Sequence, residues 1–322
     1  MSIAEGPYFE QLEVGQVFDE APAHTLTHGR AAIHQAIVGD RLALSLDDEL
    51  GAAVAGGPVA HPALVWDVAI GQSTVATQHV KANLFYRNLV FRRFPLIGDT
   101  LRTVTTVVAL RENSRRAGRG PTGLAALRIR TEDQLGRTVL DFHRCAMLPL
   151  RDPAPTGHED DLDMVGTRPS SDETWVESVG DWNLAALPTG ARELVAGERI
   201  DVAGGDVVTS APELARLTLN VASVHHDARA AGGERLVYGG HTIGIALAQA
   251  TRALPGLITV LGWHGCDHLA PVREGVTLTS TVDVESVRSG PGGTRVVGLR
   301  VRVTDGYQGG AVLDWRLVGL HR

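Results

Sequence analysis

Two parts of the chain alternate between apolar and polar residues, which is the pattern of strands with one buried face. The first part begins at Leu101 and continues through the segment from Leu124 to Arg130. The second covers Leu278 to Val287 and Val296 to Val303, with Gly-Pro-Gly-Gly at 290–293 between them, a composition typical of a hairpin turn. Predicted helical segments precede each part, at about 28–39, 62–76, 211–222 and 241–253. Helices followed by antiparallel strands predict an α+β fold, in which a helix packs on a sheet.

Three short motifs occur twice, in the same order. They are Val14-Gly15 and Ala196-Gly197, then Gly98-Asp99-Thr100-Leu101 and Gly275-Val276-Thr277-Leu278, then Gly136 to Phe142 and Gly310 to Trp315. Their separations are similar, 83 and 38 residues in the first half and 78 and 35 in the second. The repeat predicts two copies of one domain, at 1–150 and 191–322, whose sheets could pair edge to edge. Residues 151–190 carry prolines at 153, 155, 169 and 188 and an acidic run, which favours a linker.

Composition and charge narrow the class of protein. The chain has 322 residues, of which 43% are hydrophobic, enough for a substantial core. The formal net charge is −7, and no basic block or bilayer-length apolar run is present, which argues against nucleic acid and membrane as partners. The segment from Met1 to Gly6 lacks the features of a signal peptide, and the isolated Cys145 and Cys266 are predicted to be free thiols. Together these features predict a cytoplasmic protein.

The motif most informative about chemistry combines an amide, an imidazole and a glycine turn. Asn220 is followed five residues later by His225, and Tyr238-Gly239-Gly240-His241 begins a predicted helix. A neutral histidine can act as a general base, and backbone N–H groups at a helix N-terminus can stabilise negative charge developing on an oxygen. By spacing alone, the residues fit equally well a solvent-facing histidine and an ordinary turn before a helix.

The chain resembles the MaoC-like dehydratases, whose hot-dog fold wraps a long antiparallel sheet around one central helix. The strings that carry the resemblance, in particular to mesaconyl-CoA hydratases, are Tyr8-Phe9-Glu10, Leu110 to Ser114, Gly136 to Asp141, Asn220 to His225 and Arg235 to His241. The resemblance covers both halves but not the linker. It implies a tandem, or double, hot-dog fold and a hydro-lyase that reversibly adds water to the double bond of a small branched acyl-CoA, such as mesaconyl-CoA.

The resemblance also implies roles for the residues of the motif. His225 would act as the base, Asn220 would hold the water, and Gly239 and Gly240 would bind the thioester oxygen. The general motif has an aspartate where this chain has Asn220, and an amide cannot take up a proton. In the first half, Asp40 matches the carboxylate position, but Ser45 stands where a histidine is expected. One active site in the second half is therefore expected.

Several further residues are candidates for substrate binding. Tyr238 and His241 flank the glycine turn, although a half-buried aromatic and a helix-capping residue are the alternatives. Arg235, and Arg93 in the group Arg87, Arg92 and Arg93, could bind a carboxylate or the CoA phosphates, since guanidinium suits both. The run His264, Asp267, His268 looks like a set of metal ligands, but no second cluster accompanies it, and we interpret it as a strand edge that could line the cleft. We predict no metal, and no cofactor beyond the coenzyme A of the substrate.

Other functions remain open at the level of sequence. A dehydratase of a secondary-metabolite or other acyl-thioester pathway would share these residues. A non-catalytic acyl-CoA binding protein would be consistent with Asn220 in place of aspartate. A thioesterase is disfavoured, because the helix that begins near His241 lacks the acidic base which that chemistry usually requires. Whether two chains form a homodimer is also left open.

Overall fold

The computed structural model describes residues 5–167 and 170–322. Predictions made for residues 1–4 and for Pro169 lie outside the described residues. Cys145 and Cys266 are both buried and unpaired, as predicted. Among the described residues, no helix is both long and apolar enough to cross a membrane.

The described residues form seven α-helices, twelve strands and six short 3-10 turns. The helices are α1 His28–Val38, α2 Ala43–Leu46, α3 Asp48–Ala55, α4 Pro62–Gln72, α5 Asp172–Val176, α6 Ala211–Leu217 and α7 Gly239–Ala253. The strands of the first half are β1 Val17–Phe18, β2 His24–Thr25, β3 Ala82–Phe91, β4 Thr100–Glu112, β5 Thr122–Glu132 and β6 Thr138–Pro149. Those of the second half are β7 Arg199–Asp201, β8 Asp206–Val207, β9 Leu257–His268, β10 Thr277–Ser289, β11 Arg295–Asp305 and β12 Ala311–His321. The 3-10 turns are Phe9–Gln11, Ser73–Thr77, Glu177–Val179, Leu184–Ala186, Ser223–His225 and Pro291–Gly293.

All twelve strands belong to one sheet, in which the strands of the second half follow the same order from their edge as the equivalent strands of the first half do from theirs. The order is β1-β4-β5-β6-β3-β9-β12-β11-β10-β7, with β2 on β4 and β8 on β10. The two halves meet at the centre, where β3 pairs antiparallel with β9, Tyr86 opposite Cys266 and Leu89 opposite Trp263. The edge-to-edge pairing expected from the repeated motifs is therefore present. The exact domain limits remain a prediction.

Each half of the sheet packs against one long helix, which is the tandem hot-dog arrangement predicted from the sequence. Helix α4 contacts β4 and β5, and α7 contacts β10, β11 and β12. All eleven residues of α4 are buried, and Pro62 at its first position suits a helix start. The two helices are tied to the sheet in the same way. Gln72 Nε2 donates to the Leu101 carbonyl oxygen at 3.1 Å, and Gln249 Nε2 donates to that of Leu278 at 2.8 Å.

The structure corrects four details of the sequence interpretation. The run His264 to His268 is not a strand edge, because it ends β9, which lies in the middle of the sheet between β3 and β12. The helix predicted at 211–222 ends at Leu217, and a 3-10 turn follows at Ser223–His225. The alternating segment from Leu101 is two strands, β4 and β5, rather than one continuous element. Helices α2 and α3 were not predicted.

Candidate active site

A cavity of about 630 Å³ lies where the two halves meet, and both halves line it. The second half contributes the segment that begins at Asn220 and the start of α7. The first half contributes residues from the end of α4 and from β3 and β6. None of the described residues that line the cavity is an aspartate or a glutamate, so its charged walls are cationic.

Asn220 is held in the cavity wall by backbone contacts. After α6 the chain turns at Leu219, which adopts a left-handed φ of 60°, and passes close to α4 at Gly71. A Cβ on Gly71 would lie 1.8 Å from the Thr218 carbonyl oxygen, so only glycine permits this approach. The Oδ1 of Asn220 accepts from the Ala222 N–H at 3.0 Å, which fixes the amide orientation. Its Nδ2 is buried without a hydrogen-bond partner among the described residues, so two donors remain for a ligand.

His225 is held in the tautomer that a general base requires. Its Nδ1 lies 2.8 Å from the Leu236 carbonyl oxygen and must donate to it, which leaves Nε2 without a proton. Burial lowers the pKa of His225 to about 4, against the opposing effect of this hydrogen bond. The imidazole is therefore neutral near pH 7. The adjacent His226 turns away and donates from Nε2 to the Asn220 carbonyl oxygen at 2.6 Å, which ties the two ends of the motif together.

The start of α7 faces the same cavity. Its N-cap residue, Tyr238, gives no side-chain capping bond, and Gly239 and Tyr238 both line the cavity. A Cβ on Gly239 would lie 2.6 Å from His268 Nε2, and one on Gly240 would lie 2.0 Å from Asp67 Oδ1. A side chain at either position would therefore collide with its neighbours, so packing favours glycine at both. Gly240 itself is not part of the cavity wall.

A buried polar network in the first half supports this helix start, and the sequence did not predict it. The Tyr238 hydroxyl donates to Asp67 Oδ1 at 3.1 Å, and the Tyr238 ring packs edge-on against His225 with centroids 5.8 Å apart. His34 Nε2 lies 3.0 Å from Asp67 Oδ2. Burial raises the pKa of Asp67 and lowers that of His34. Because these residues are far apart in sequence, no local pattern indicated that they meet.

In the first half, Asp40, which matches the carboxylate position of the motif, forms a separate buried pair with His61 at the start of α4. Asp40 and His61 lie 2.7 Å apart between carboxylate oxygen and Nε2, and both are largely shielded from solvent. His61 is also the N-cap of α4, where its Nδ1 accepts from the Ala63 N–H at 3.1 Å. Neither residue lines the cavity.

Three of the predicted substrate-binding residues lie away from the cavity wall. His241 is fully buried, and neither of its ring nitrogens has a hydrogen-bond partner among the described residues. Arg235 forms an ion pair with Glu274 at 2.6 Å. Arg93 is exposed and does not line the cavity. The structure instead places Lys81, Arg144 and Arg273 there, none of which stood out in the sequence.

The arrangement combines a neutral imidazole, an unpaired amide donor and the positive end of a helix around one cavity. The imidazole can accept a proton from a water molecule that the amide holds. The helix N-terminus can stabilise negative charge on a carbonyl oxygen of a bound acyl group. Among the described residues, no group of three or more histidine, cysteine or acidic side chains is arranged to bind a metal ion.

Two known proteins are similar in sequence to this chain over most of its length. No model of a known protein family matches the chain. Mesaconyl-CoA hydratase of Cereibacter sphaeroides is 30% identical, with 99% of each chain covered. Beta-methylmalyl-CoA dehydratase of Chloroflexus aurantiacus is 28% identical over 92% of this chain and 87% of the relative.

Two solved structures share the architecture. A conserved hypothetical protein of Mycobacterium tuberculosis, described as having a double hotdog fold, is 53% identical with a TM-score of 0.90, covering 98% of this chain and 99% of that one. A MaoC domain dehydratase of Chloroflexus aurantiacus has the same fold, with a TM-score of 0.84 at 23% identity, covering 98% of this chain and 97% of that one. The fold, the near-complete coverage and the 30% identity to mesaconyl-CoA hydratase show that the chain belongs to the MaoC-like dehydratase family, in its double hot-dog form.

Proposed function

We propose that the protein is an acyl-CoA hydratase/dehydratase, which reversibly adds water across the double bond of a short branched 2-enoyl-CoA. The observation that carries the proposal is the state of His225. Its Nδ1 donates to a backbone carbonyl, its Nε2 is free to accept a proton, and it shares a cavity wall with the unpaired amide nitrogen of Asn220. The relatives named mesaconyl-CoA hydratase and beta-methylmalyl-CoA dehydratase support the same class of reaction.

In the hydration direction, Asn220 Nδ2 would donate to the oxygen of a water molecule, and His225 Nε2 would accept one of its protons. The water oxygen would then add to the β-carbon, and the electron pair of the double bond would move to the thioester as an enolate. The N–H group of Gly239 in the cavity wall, together with the helix dipole, would stabilise the enolate oxygen. The imidazolium would finally return its proton to the α-carbon, on the same face because one residue serves both steps.

The cavity supports an acyl-CoA as the substrate class. Its volume of about 630 Å³ falls in the usual range for small-molecule sites and accommodates a short acyl group with part of the pantetheine arm. Lys81 is exposed and Arg273 is half-buried in its wall, so both can meet the phosphates of coenzyme A near the opening. The proposed steps use no metal and no cofactor beyond the coenzyme A of the substrate. A cytoplasmic location and a possible homodimer stay predictions.

A thioesterase is the competing chemistry for a hot-dog fold, and the cavity argues against it. That reaction was expected to need an acidic base on the central helix. Among the described residues that line the cavity there is no carboxylate. Asp67 lies on the other long helix, but its two oxygens are engaged by Tyr238 and His34.

The test is turnover of a panel of conjugated enoyl-CoA thioesters, including crotonyl- and mesaconyl-CoA, by wild type and His225→Ala. Hydration is followed as loss of the absorbance of the conjugated thioester. We expect the substitution to lower kcat/KM by about 10²- to 10⁴-fold, the usual contribution of a general base. His28→Ala is the matched control, since the His28 side chain is 66% exposed on another surface. Near-normal turnover by His225→Ala would refute the assignment.

A further inference from the structure

Arg144 is a buried cation that has no carboxylate partner among the described residues. It lies on β6, is only 3% exposed and forms part of the cavity wall. Its Nη2 donates to the Ser73 carbonyl oxygen at 3.1 Å and to the Thr77 hydroxyl at 2.7 Å. Nε is buried and unpaired, and Nη1 has no hydrogen bond to any described residue. Three of the five guanidinium protons therefore remain for a ligand.

In the part of the chain that the structure describes, no acidic side chain offsets the charge of Arg144. Burial lowers its pKa, and the groups that oppose this effect are Tyr86, Tyr238 and Cys145 rather than an aspartate or glutamate. A buried charge without a partner is costly, and proteins usually retain one only where a ligand completes it. Tyr86 is paired opposite Arg144 across the strands and lines the same cavity, so its hydroxyl offers a further hydrogen bond.

The fold does not require a cation at this position. The symmetric order of the sheet relates β3 and β6 to β9 and β12. The Tyr86–Arg144 pair therefore corresponds to Trp263 and Leu317, which are paired in the same way in the second half. Both of these residues are fully buried and apolar. In the half where a tryptophan and a leucine stand, the same ladder is built without a charge.

The cationic residues of the cavity are separated by depth. Lys81 is exposed and Arg273 is half-buried, whereas Arg144 and Tyr86 are buried. A ligand that enters with its coenzyme A phosphates near the opening therefore directs the end of its acyl chain towards the buried end. Guanidinium favours a carboxylate there, because it can form two parallel charge-assisted hydrogen bonds.

We propose that Arg144, assisted by Tyr86, is the specificity-determining residue that binds a free carboxylate at the far end of the acyl chain. The enzyme would thereby select monothioesters of dicarboxylic acids over thioesters that end in a methyl group. This inference rests on the proposed function for its reaction, but it concerns a residue to which the reaction steps assign no role.

The test uses two substrates that differ only at the end of the acyl chain. Mesaconyl-CoA carries a carboxylate where (E)-2-methylbut-2-enoyl-CoA carries a methyl group. We expect wild type to prefer the carboxylate, and Arg144→Met to reduce the ratio of the two kcat/KM values by at least about 100-fold. Arg144→Lys should give an intermediate ratio, because it keeps the charge but not the planar geometry. Arg128→Met, on the neighbouring strand and half-exposed, is the matched control and should leave the ratio unchanged.

Calorimetric binding of both thioesters to wild type and Arg144→Met separates this inference from the proposed function. If wild type binds but hydrates neither compound, the proposed function fails, and the ratio of dissociation constants still tests Arg144. A ratio that is the same in wild type and Arg144→Met overturns the role of Arg144, even if hydration is observed. Equal losses for both compounds, with a lowered melting temperature, would assign Arg144 to the support of the Ser73–Thr77 turn instead.

Discussion

Replacing His241 with leucine should make the protein less sensitive to acid. His241 is fully buried in the first turn of α7, and its ring nitrogens have no hydrogen-bond partner among the described residues. Burial lowers its pKa from 6.5 to about 4, nearby His34 adds to the effect, and Glu274 opposes it. The folded state therefore takes up this proton less readily than the unfolded chain does.

The size of the effect follows from the two pKa values. Above pH 6.5 the ring is neutral in both states and contributes no pH dependence. As the pH falls from 6.5 towards 4, the unfolded chain binds a proton that the folded protein does not, so the free energy of unfolding decreases. At pH 5 the loss from this one residue is about 2 kcal/mol, given that one pKa unit corresponds to about 1.4 kcal/mol. A leucine has no such proton, and it removes an unsatisfied polar group that costs about 1–3 kcal/mol.

The measurement is urea unfolding of wild type and His241→Leu at pH 7.5 and pH 5. We expect the wild type to lose about 2 kcal/mol more than the variant between these two values. His28→Leu, at a side chain that is 66% exposed, is the control and should behave as wild type. An identical pH dependence in wild type and His241→Leu would refute the reasoning. Normal hydration by the same variant would also show that His241 is not needed for substrate binding.

Two further substitutions test how the halves support each other. Gly71→Ala would place a Cβ 1.8 Å from the Thr218 carbonyl oxygen, so we expect the free energy of unfolding to fall by about 1–3 kcal/mol and the activity to decrease. Gly120→Ala is the control, because a Cβ at Gly120 would meet open space. Equal melting temperatures of Gly71→Ala and the control would contradict the prediction. Asp67→Asn keeps the volume of the side chain but weakens the hydrogen bond from the Tyr238 hydroxyl. We therefore expect a kcat about fivefold lower with KM little changed, since one hydrogen bond contributes about 1 kcal/mol. An unchanged kcat in Asp67→Asn would show that the network does not position the helix start.

Much of the fold could be predicted because its signals are local. Strands β4 and β10 alternate between buried and more exposed positions along most of their length, and β5 and β11 do so in their second halves, so alternation marks these strands. The central strands were missed for the opposite reason. β9 is buried along its first seven residues, and a strand covered on both faces shows no alternation. Helices α2 and α3 have only four and eight residues, too few for a helical period to stand out, and were missed as well.

In the candidate site too, the residues that are close together in sequence could be predicted, and a residue that is distant in sequence could not. Asn220, His225, Tyr238 and Gly239 lie close together in sequence, and all four line one cavity. Their proposed roles await measurement. Arg144 could not be found in this way, because it sits on a strand of the other half and reaches the cavity only through the pairing of the sheet. An arginine within an apolar strand is the only sequence signal that distinguishes it.

Joining the two hot-dog units in one chain affects how the binding site can recognise its substrate. Two identical subunits would present the same side chains at both symmetry-related cavities, so each change made for one end of a ligand would be copied at the other site. Within a single chain, Tyr86 and Arg144 can face one cavity while Trp263 and Leu317 fill the matching place. The supporting half is also always present at a ratio of one to one. The cavity therefore cannot be taken apart by dilution, as a site shared between separate subunits can.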